Sequence, residues 1–222
     1  MRHAKATRTL VAAAAAASML AGASSAHAAT SSDTTQFAVT AGTLAFSTIP
    51  DAPALPALTL NGQAQTLNAT MGNFGVVDST GSGAGWNVTV AGDNTGGKSS
   101  VFKQYCTNAG GCGAHPLGYV AGGYTLAQNS MTLNSTGAGF SAQNGTTGVA
   151  PTHQCNSACF VDAAPASPVK VISAAVGAGM GSYITTSYSG TSLAASAPST
   201  VQAILANEVY RIDLLWTLGS GP

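Results

Sequence analysis

Hydrophobic and polar residues alternate with a period of two along much of this chain, most plainly in two places. In Trp86-Asn87-Val88-Thr89-Val90, one face carries Trp86, Val88 and Val90 while the other carries Asn87 and Thr89. In residues 208–218, Tyr210, Ile212, Leu214, Trp216 and Leu218 share a face opposite Val209, Arg211, Asp213, Leu215 and Thr217. Period two places alternate side chains on opposite sides of a pleated strand, so both stretches predict half-buried strands, the second a single long one. Shorter runs at residues 37–40, 44–46, 58–60, 72–77, 118–127, 130–133, 168–173 and 183–188 predict further strands. Clusters of Gly, Asn, Asp and Ser separate them, as in residues 78–85 and 92–97, and these residue types favour turns. Helical periodicity is absent from any long segment, although residues 199–207 could form two turns with Ser199 as cap. Many short strands divided by turns imply an all-β, antiparallel sandwich of eight to ten strands, with the C-terminal strand central and both tryptophans largely buried.

The N-terminus follows a different logic. Arg2, Lys5 and Arg8 precede an uncharged, Ala-rich apolar run at residues 10–23, and Ala26-His27-Ala28 supplies small residues at a cleavage position. That arrangement predicts a signal peptide over residues 1–28, since the apolar run is shorter than the roughly 20 residues a spanning helix needs. Residues 29–222 then form one domain, with no membrane span expected after cleavage. They hold four basic residues (Lys98, Lys103, Lys170 and Arg211) against seven acidic ones, a formal charge of −3 with histidines neutral. So few cations offer little to phosphate backbones, and nucleic acid is not an expected partner.

Cys106, Cys112, Cys155 and Cys159 all fall in the exported part. An even count outside the cytoplasm favours two disulfides, with three pairings open. Zinc is the alternative because His115 and His153 flank the pairs, but neither spacing is the tight C-x2-C of common structural sites, so no metal or other cofactor is expected. Residues 103–162 hold all four cysteines between loop-like runs and read as a loop-rich insertion on the sheet framework.

A Gly-rich turn running into Gly85-Trp86-Asn87-Val88, and the closing stretch Leu214-Leu215-Trp216-Thr217-Leu218, resemble the two motifs of the WxL domain family of bacterial cell-wall proteins. Val77-Asp78-Ser79-Thr80-Gly81-Ser82-Gly83-Ala84-Gly85-Trp86-Asn87-Val88-Thr89-Val90 is similar to the first motif, in which a Gly-rich turn leads into Gly-Ala-Gly-Trp and a strand. Tyr210-Arg211-Ile212-Asp213-Leu214-Leu215-Trp216-Thr217-Leu218-Gly219-Ser220-Gly221-Pro222 is similar to the second, which closes the domain. Gly42-Thr43-Leu44-Ala45-Phe46 resembles the family's opening strand, so the likeness covers residues 37–222. Val88 stands where the family motif has Leu, which points to a divergent branch, and an Ala- and Gly-rich exported chain fits a member of actinobacterial type. The resemblance implies an Ig-like β-sandwich that attaches non-covalently to peptidoglycan or another envelope glycan, alone or with other exported surface proteins. It makes Gly85, Trp86, Val88, Tyr210, Leu214, Trp216, Leu218 and Pro222 the motif residues. No wall-sorting tail follows Leu218-Gly219-Ser220-Gly221-Pro222, which also points to non-covalent retention at the surface. A pilin-like or matrix-forming subunit that assembles by strand exchange is the alternative.

Both tryptophans lie on the apolar face of their alternation, which assigns them to the core rather than to sugar stacking. Tyr105, Tyr119, Tyr124, Tyr183 and Tyr188 are then the aromatic candidates for a ligand surface. Gly190-Thr191-Ser192-Leu193-Ala194 is similar to the serine segment of subtilisin-like proteases, with Asp78 and His115 or His153 in the matching order. Neither histidine has the local setting of an activating base, however, and too little chain separates His115 from Ser192 for the required framework. Asp78, Asp93, Asp162 and Asp213 give no sequence-adjacent carboxylate pair of the kind a glycosidase uses. An enzyme is therefore not expected.

Overall fold

The computed structural model describes residues 33–222; the segment read as a signal peptide lies outside them. Thr40–Pro222 forms one compact unit. Residues 33–39, the described part of the other unit, carry no strand.

The chain is all-β. Fifteen strands occur among the described residues: β1 (Leu44–Thr48), β2 (Gln65–Ala69), β3 (Gly75–Asp78), β4 (Trp86–Gly92), β5 (Lys103–Cys106), β6 (Gly118–Tyr119), β7 (Met131–Leu133), β8 (Gly139–Gln143), β9 (Thr152–His153), β10 (Cys159–Phe160), β11 (Val169–Ala174), β12 (Gly181–Thr186), β13 (Leu193–Ala197), β14 (Glu208–Arg211) and β15 (Leu214–Ser220). They form four antiparallel sheets with strand orders β1-β3-β12-β8, β10-β7-β13-β2, β15-β4-β11-β9 and β14-β5-β6. The arrangement is sandwich-like, with one shared core built from Phe74 just before β3, Val76 of β3, Trp86, Val88 and Val90 of β4, Met131 and Leu133 of β7, Val171 and Ile172 of β11, and Leu193 of β13.

Alternation explains why β4 stands where it does. Trp86, Val88 and Val90 are buried while Asn87 and Thr89 are half-buried, and the strand has neighbours on both edges, β15 and β11. The long strand expected over residues 208–218 is instead two strands in two sheets. β14 pairs with β5, with Glu208 opposite Cys106, whereas β15 pairs with β4, with Trp216 opposite Val90. Asp213 makes the break. Its N–H donates to the Ser99 carbonyl, its own carbonyl accepts from Asp93 N–H, and its carboxylate takes Ser99 N–H at 3.1 Å and the Tyr119 hydroxyl at 2.6 Å. A residue held from two sides by another loop cannot continue a straight ladder. The face pattern nevertheless persists across the break, because Tyr210, Ile212, Leu214, Trp216 and Leu218 are all half-buried.

Three further expectations are corrected. β15 is the edge of its sheet rather than a central strand, and so Trp216 is only half-buried. Residues 199–207 contain no helix. Glu208 sits at their end and accepts Leu205 N–H at 2.9 Å, and the Tyr210 hydroxyl donates to the Gln202 carbonyl at 3.0 Å, so side chains of β14 satisfy backbone groups that a helix would have paired. Residues 37–40 and 58–60 carry no strand, while β2, β5, β8, β9, β10 and β13 arise where no strand was expected. β13 (Leu-Ala-Ala-Ser-Ala) buries only Leu193, Ala195 and Ala197 on its inner face. Alanine is a weak strand former, and so the run lacks a compositional signal.

The cysteines pair as neighbours, Cys106–Cys112 and Cys155–Cys159, and none is free. The disulfide-bearing stretch is loop-rich and also woven into every sheet. β5 and β6 belong to the fourth, β7 and β10 to the second, β8 to the first and β9 to the third.

Candidate functional site

The two motif segments meet along the β4–β15 ladder. Leu218 lies opposite Val88 and Ser220 opposite Trp86; beyond the ladder Gly221 N–H donates to the Gly85 carbonyl at 2.9 Å. The Asn87 side-chain amide donates to the Gly221 carbonyl at 2.7 Å, and Pro222 is exposed just past this clasp. Gly85 adopts a φ of +77°, and a Cβ there would collide with the Ala174 carbonyl. Only glycine combines that conformation with so close an approach. Trp86 is 1% exposed and its indole N–H donates to the Gly179 carbonyl at 3.0 Å. Leu214, Trp216, Leu218 and Tyr210 pack against the rim of the core, with Trp216 tilted against Phe74 at 5.6 Å between ring centroids. Burial raises the Tyr210 hydroxyl above its ordinary range. Gly85, Trp86, Val88, Leu214, Trp216 and Leu218 are thus brought together by packing, with Tyr210 above them on β14.

A different surface gathers aromatic and cationic groups. In the β14-β5-β6 sheet, Val209, Tyr105 and Tyr119 are cross-strand partners in a row, and Arg211 pairs with Lys103 on the same face. Cross-strand partners share a face of the sheet. The opposite face carries Gln104, Cys106 and Glu208, all buried, so the tyrosine face is the outer one. Tyr105 and Tyr119 meet edge to face at 5.0 Å, and the Arg211 guanidinium sits 4.6 Å above the Tyr105 ring. Tyr124 is 48% exposed and is joined to β5 through Gln104, whose N–H donates to the Tyr124 carbonyl. Two of the four cations of residues 29–222 therefore lie on one small aromatic sheet face.

Asp213 orders that face. Burial works to raise its carboxyl, but hydrogen bonds from Tyr119, Ser99 and Arg211 outweigh it and hold the group below the usual carboxylate range. Arg211 reaches its Oδ1 at 3.1 Å. Burial, then the hydrogen bond to Asp213, keeps the Tyr119 hydroxyl protonated well beyond the ordinary tyrosine range. Beneath the sheet, Glu208 accepts from the Gln104 amide at 2.7 Å and lies 2.6 Å from His115 Nδ1. The His115 hydrogen bond is the main reason its carboxyl is lowered.

Of the remaining tyrosine candidates, Tyr183 is buried and donates to the Gly148 carbonyl at 2.6 Å, and Tyr188 is buried against His153. The protease-like order of Asp78, His and Ser192 does not assemble. Ser192 is 1% exposed and its Oγ accepts Met71 N–H at 2.8 Å. Asp78 closes a turn onto Thr80, His115 faces Glu208, and His153 stacks on Phe140 at 4.4 Å. Of the four aspartates, Asp93 and Asp213 do come to one corner, but their carboxylates serve separate partners. Asp93 is held at about 2 by hydrogen bonds from Lys98 and Thr95. Asp162 is fully buried and takes both Ser130 N–H and the Ser130 hydroxyl on one oxygen. Among the described residues, no three His, Cys, Asp or Glu side chains converge on a metal position.

Sequence reasoning named both tyrosines of the outer face but not Lys103 or Arg211. The signal available was cation scarcity, since residues 103–124 and 211 become neighbours only through the β14–β5 pairing. Comparison with protein-family models, with curated proteins and with solved structures gives no match.

Proposed function

We propose that this chain is an exported, non-catalytic protein that attaches non-covalently to bacterial cell-wall glycan, peptidoglycan in the first place, through the outer face of the β14-β5-β6 sheet. One observation carries the reading. Tyr105 and Tyr119 form an ordered aromatic platform beside Lys103 and Arg211, while residues 29–222 hold only two other Lys or Arg, Lys98 and Lys170. Aromatic rings supply rigid contact area for sugar faces, and the guanidinium and ammonium suit the carboxylates that wall polymers carry. Asp213 fixes Tyr119 and Arg211 in advance, which lowers the entropy lost on binding. The two disulfides fit an oxidising compartment, and the likeness to WxL motifs, with the Ig-like sandwich it implies, agrees with a place at the cell surface. On this reading the motif tryptophans build the scaffold and the tyrosines meet the glycan.

The test is sedimentation with isolated wall sacculi. The processed chain should pellet with them, and Tyr105→Ala should weaken binding by about 30-fold, the loss expected when an interface anchor is truncated. Trp216→Ala should retain binding as long as circular dichroism shows the fold intact. Retention of the wild-type chain in the supernatant at every salt concentration would sink the proposal.

A further inference from the structure

β15 ends its sheet, and its register fixes which main-chain groups face away from β4. Asp93 N–H donates to the Asp213 carbonyl before the ladder, and Gly221 N–H donates to the Gly85 carbonyl after it; between them the pairs run from Leu214↔Gly92 to Ser220↔Trp86. Antiparallel ladders alternate bonded and non-bonded pairs. Leu215, Thr217 and Gly219 therefore bond to β4, while the N–H and C=O groups of Leu214, Trp216, Leu218 and Ser220 point outward. Among the described residues these four outward pairs have no backbone partner. At seven residues β15 is the longest edge strand of the four sheets. Its ladder has no bulge, and Leu-Leu-Trp-Thr-Leu-Gly-Ser contains neither charge nor proline. Those are the devices by which proteins ordinarily block an open edge.

The same strand borders a hollow. Leu214 and Trp216 line a cavity of 910 Å³ together with Phe102, Met131, Pro53 and Leu55. An occupant of this place must offer a row of main-chain donors and acceptors and, on one side, apolar side chains. The chain itself contains such a segment. Gln36-Phe37-Ala38-Val39-Thr40 alternates as a strand should. It forms no strand in its own chain, and Phe37 and Val39 are 90% and 82% exposed.

We propose that residues 36–40 of one copy add as a strand to the β15 edge of a second copy, with Phe37 and Val39 turned toward the hollow beside Trp216. Donor and acceptor are different surfaces, so the contact is heterologous and each added copy presents a new open edge. The outcome is a head-to-tail chain of subunits. This goes beyond wall attachment and uses neither Tyr105 nor Arg211, so the two proposals can fail separately.

The experiment is sedimentation velocity on the processed chain without wall material, across a hundredfold concentration range. Wild type should form oligomers that grow with concentration. Phe37→Asp/Val39→Asp, which removes the donor and leaves the compact unit unchanged, should remain monomeric and still pellet with sacculi. A synthetic peptide of residues 33–42 should bind this variant one to one. Leu218→Pro removes an outward-facing N–H along with a half-buried side chain, and relative to Leu218→Ala, which removes the side chain alone, it should weaken peptide binding by about tenfold or more, a factor equal to one decade in Kd. A wild-type chain that stays monomeric at every concentration overturns the proposal. So does a donor variant that oligomerises like wild type, or one that fails to bind the peptide.

Discussion

Trp86 and Trp216 belong to the same ladder of the third sheet, yet they live in different surroundings. Trp86 sits on β4, paired on both sides, 1% exposed, with its indole N–H bonded to the Gly179 carbonyl. Trp216 sits on the edge strand β15, half-buried, tilted against Phe74 and bordering the cavity. Both belong to an apolar face of period two, so alternation told which way each side chain points. It did not tell how many strands would lie beyond it. A side chain on an interior strand is closed in by neighbours on both flanks, and the same side chain on an edge strand keeps one flank open.

The largest expected effect tests that contrast directly. Trp86→Ala should cost about 3–5 kcal/mol of stability, the range for truncating a fully buried aromatic. Trp216→Ala should cost about 1–2 kcal/mol, because the indole gives up only part of its surface on folding. Denaturant titration followed by circular dichroism measures both, and equal costs would erase the distinction. Next in size is Gly179→Ala. Gly179 holds φ at +73°, and a Cβ there would stand 2.6 Å from Trp86 Nε1. Overpacking of this kind costs about 1–3 kcal/mol, and pairing it with Trp86→Ala should relieve part of the loss, the approach to Ala174 Cβ at 2.5 Å and the left-handed φ remaining. Additive costs in the double variant would mean that the two residues do not share one packing site.

The smallest effect concerns the other edge of the same sheet. There β9 is only two residues long, but it places His153 between Phe140 and Tyr188, buried and with Nδ1 unpartnered. Burial lowers the His153 pKa from 6.5. The unfolded chain then takes up its proton first as acid is added, so stability is complete above 6.5 and falls as pH drops below it. His153→Leu should flatten that part of the stability profile while leaving the neutral-pH fold in place. An unchanged slope would mean that this edge is not pinned by a neutral histidine.

Much of the scaffold was legible beforehand because its signals are local. Trp86-Asn87-Val88-Thr89-Val90 announced its strand through alternation alone, and the Asp78 and Asp93 turns through Asx chemistry, seen in the hydrogen bonds from Thr80 and Thr95. β13 was missed because its inner face is Leu193 and two alanines, whose burial comes from the strands on either side. The single strand expected over residues 208–218 failed at Asp213, where Ser99 and Tyr119, distant in sequence, capture the residue. Residues 37–40 show the converse case, a strand-like pattern without a strand.

The candidate face divides along the same line. Tyr105 and Tyr119 could be named in advance only as two of five candidate tyrosines, with Tyr124, Tyr183 and Tyr188, and nothing along the chain joined them to Arg211. That union needs β14 to pair with β5 across about a hundred residues, and it determines which tyrosines share a platform and which, like Tyr183, are buried.

What the sequence by itself determined is the alternation, the turn chemistry and an even set of cysteines, because each depends on residues close along the chain. Tertiary structure alone decided which strands are interior or edge, that each cysteine bridges its near neighbour, and which side chains form the aromatic face. Those outcomes depend on strand pairings between distant residues, whose free energy exists only once the whole sheet closes around its core.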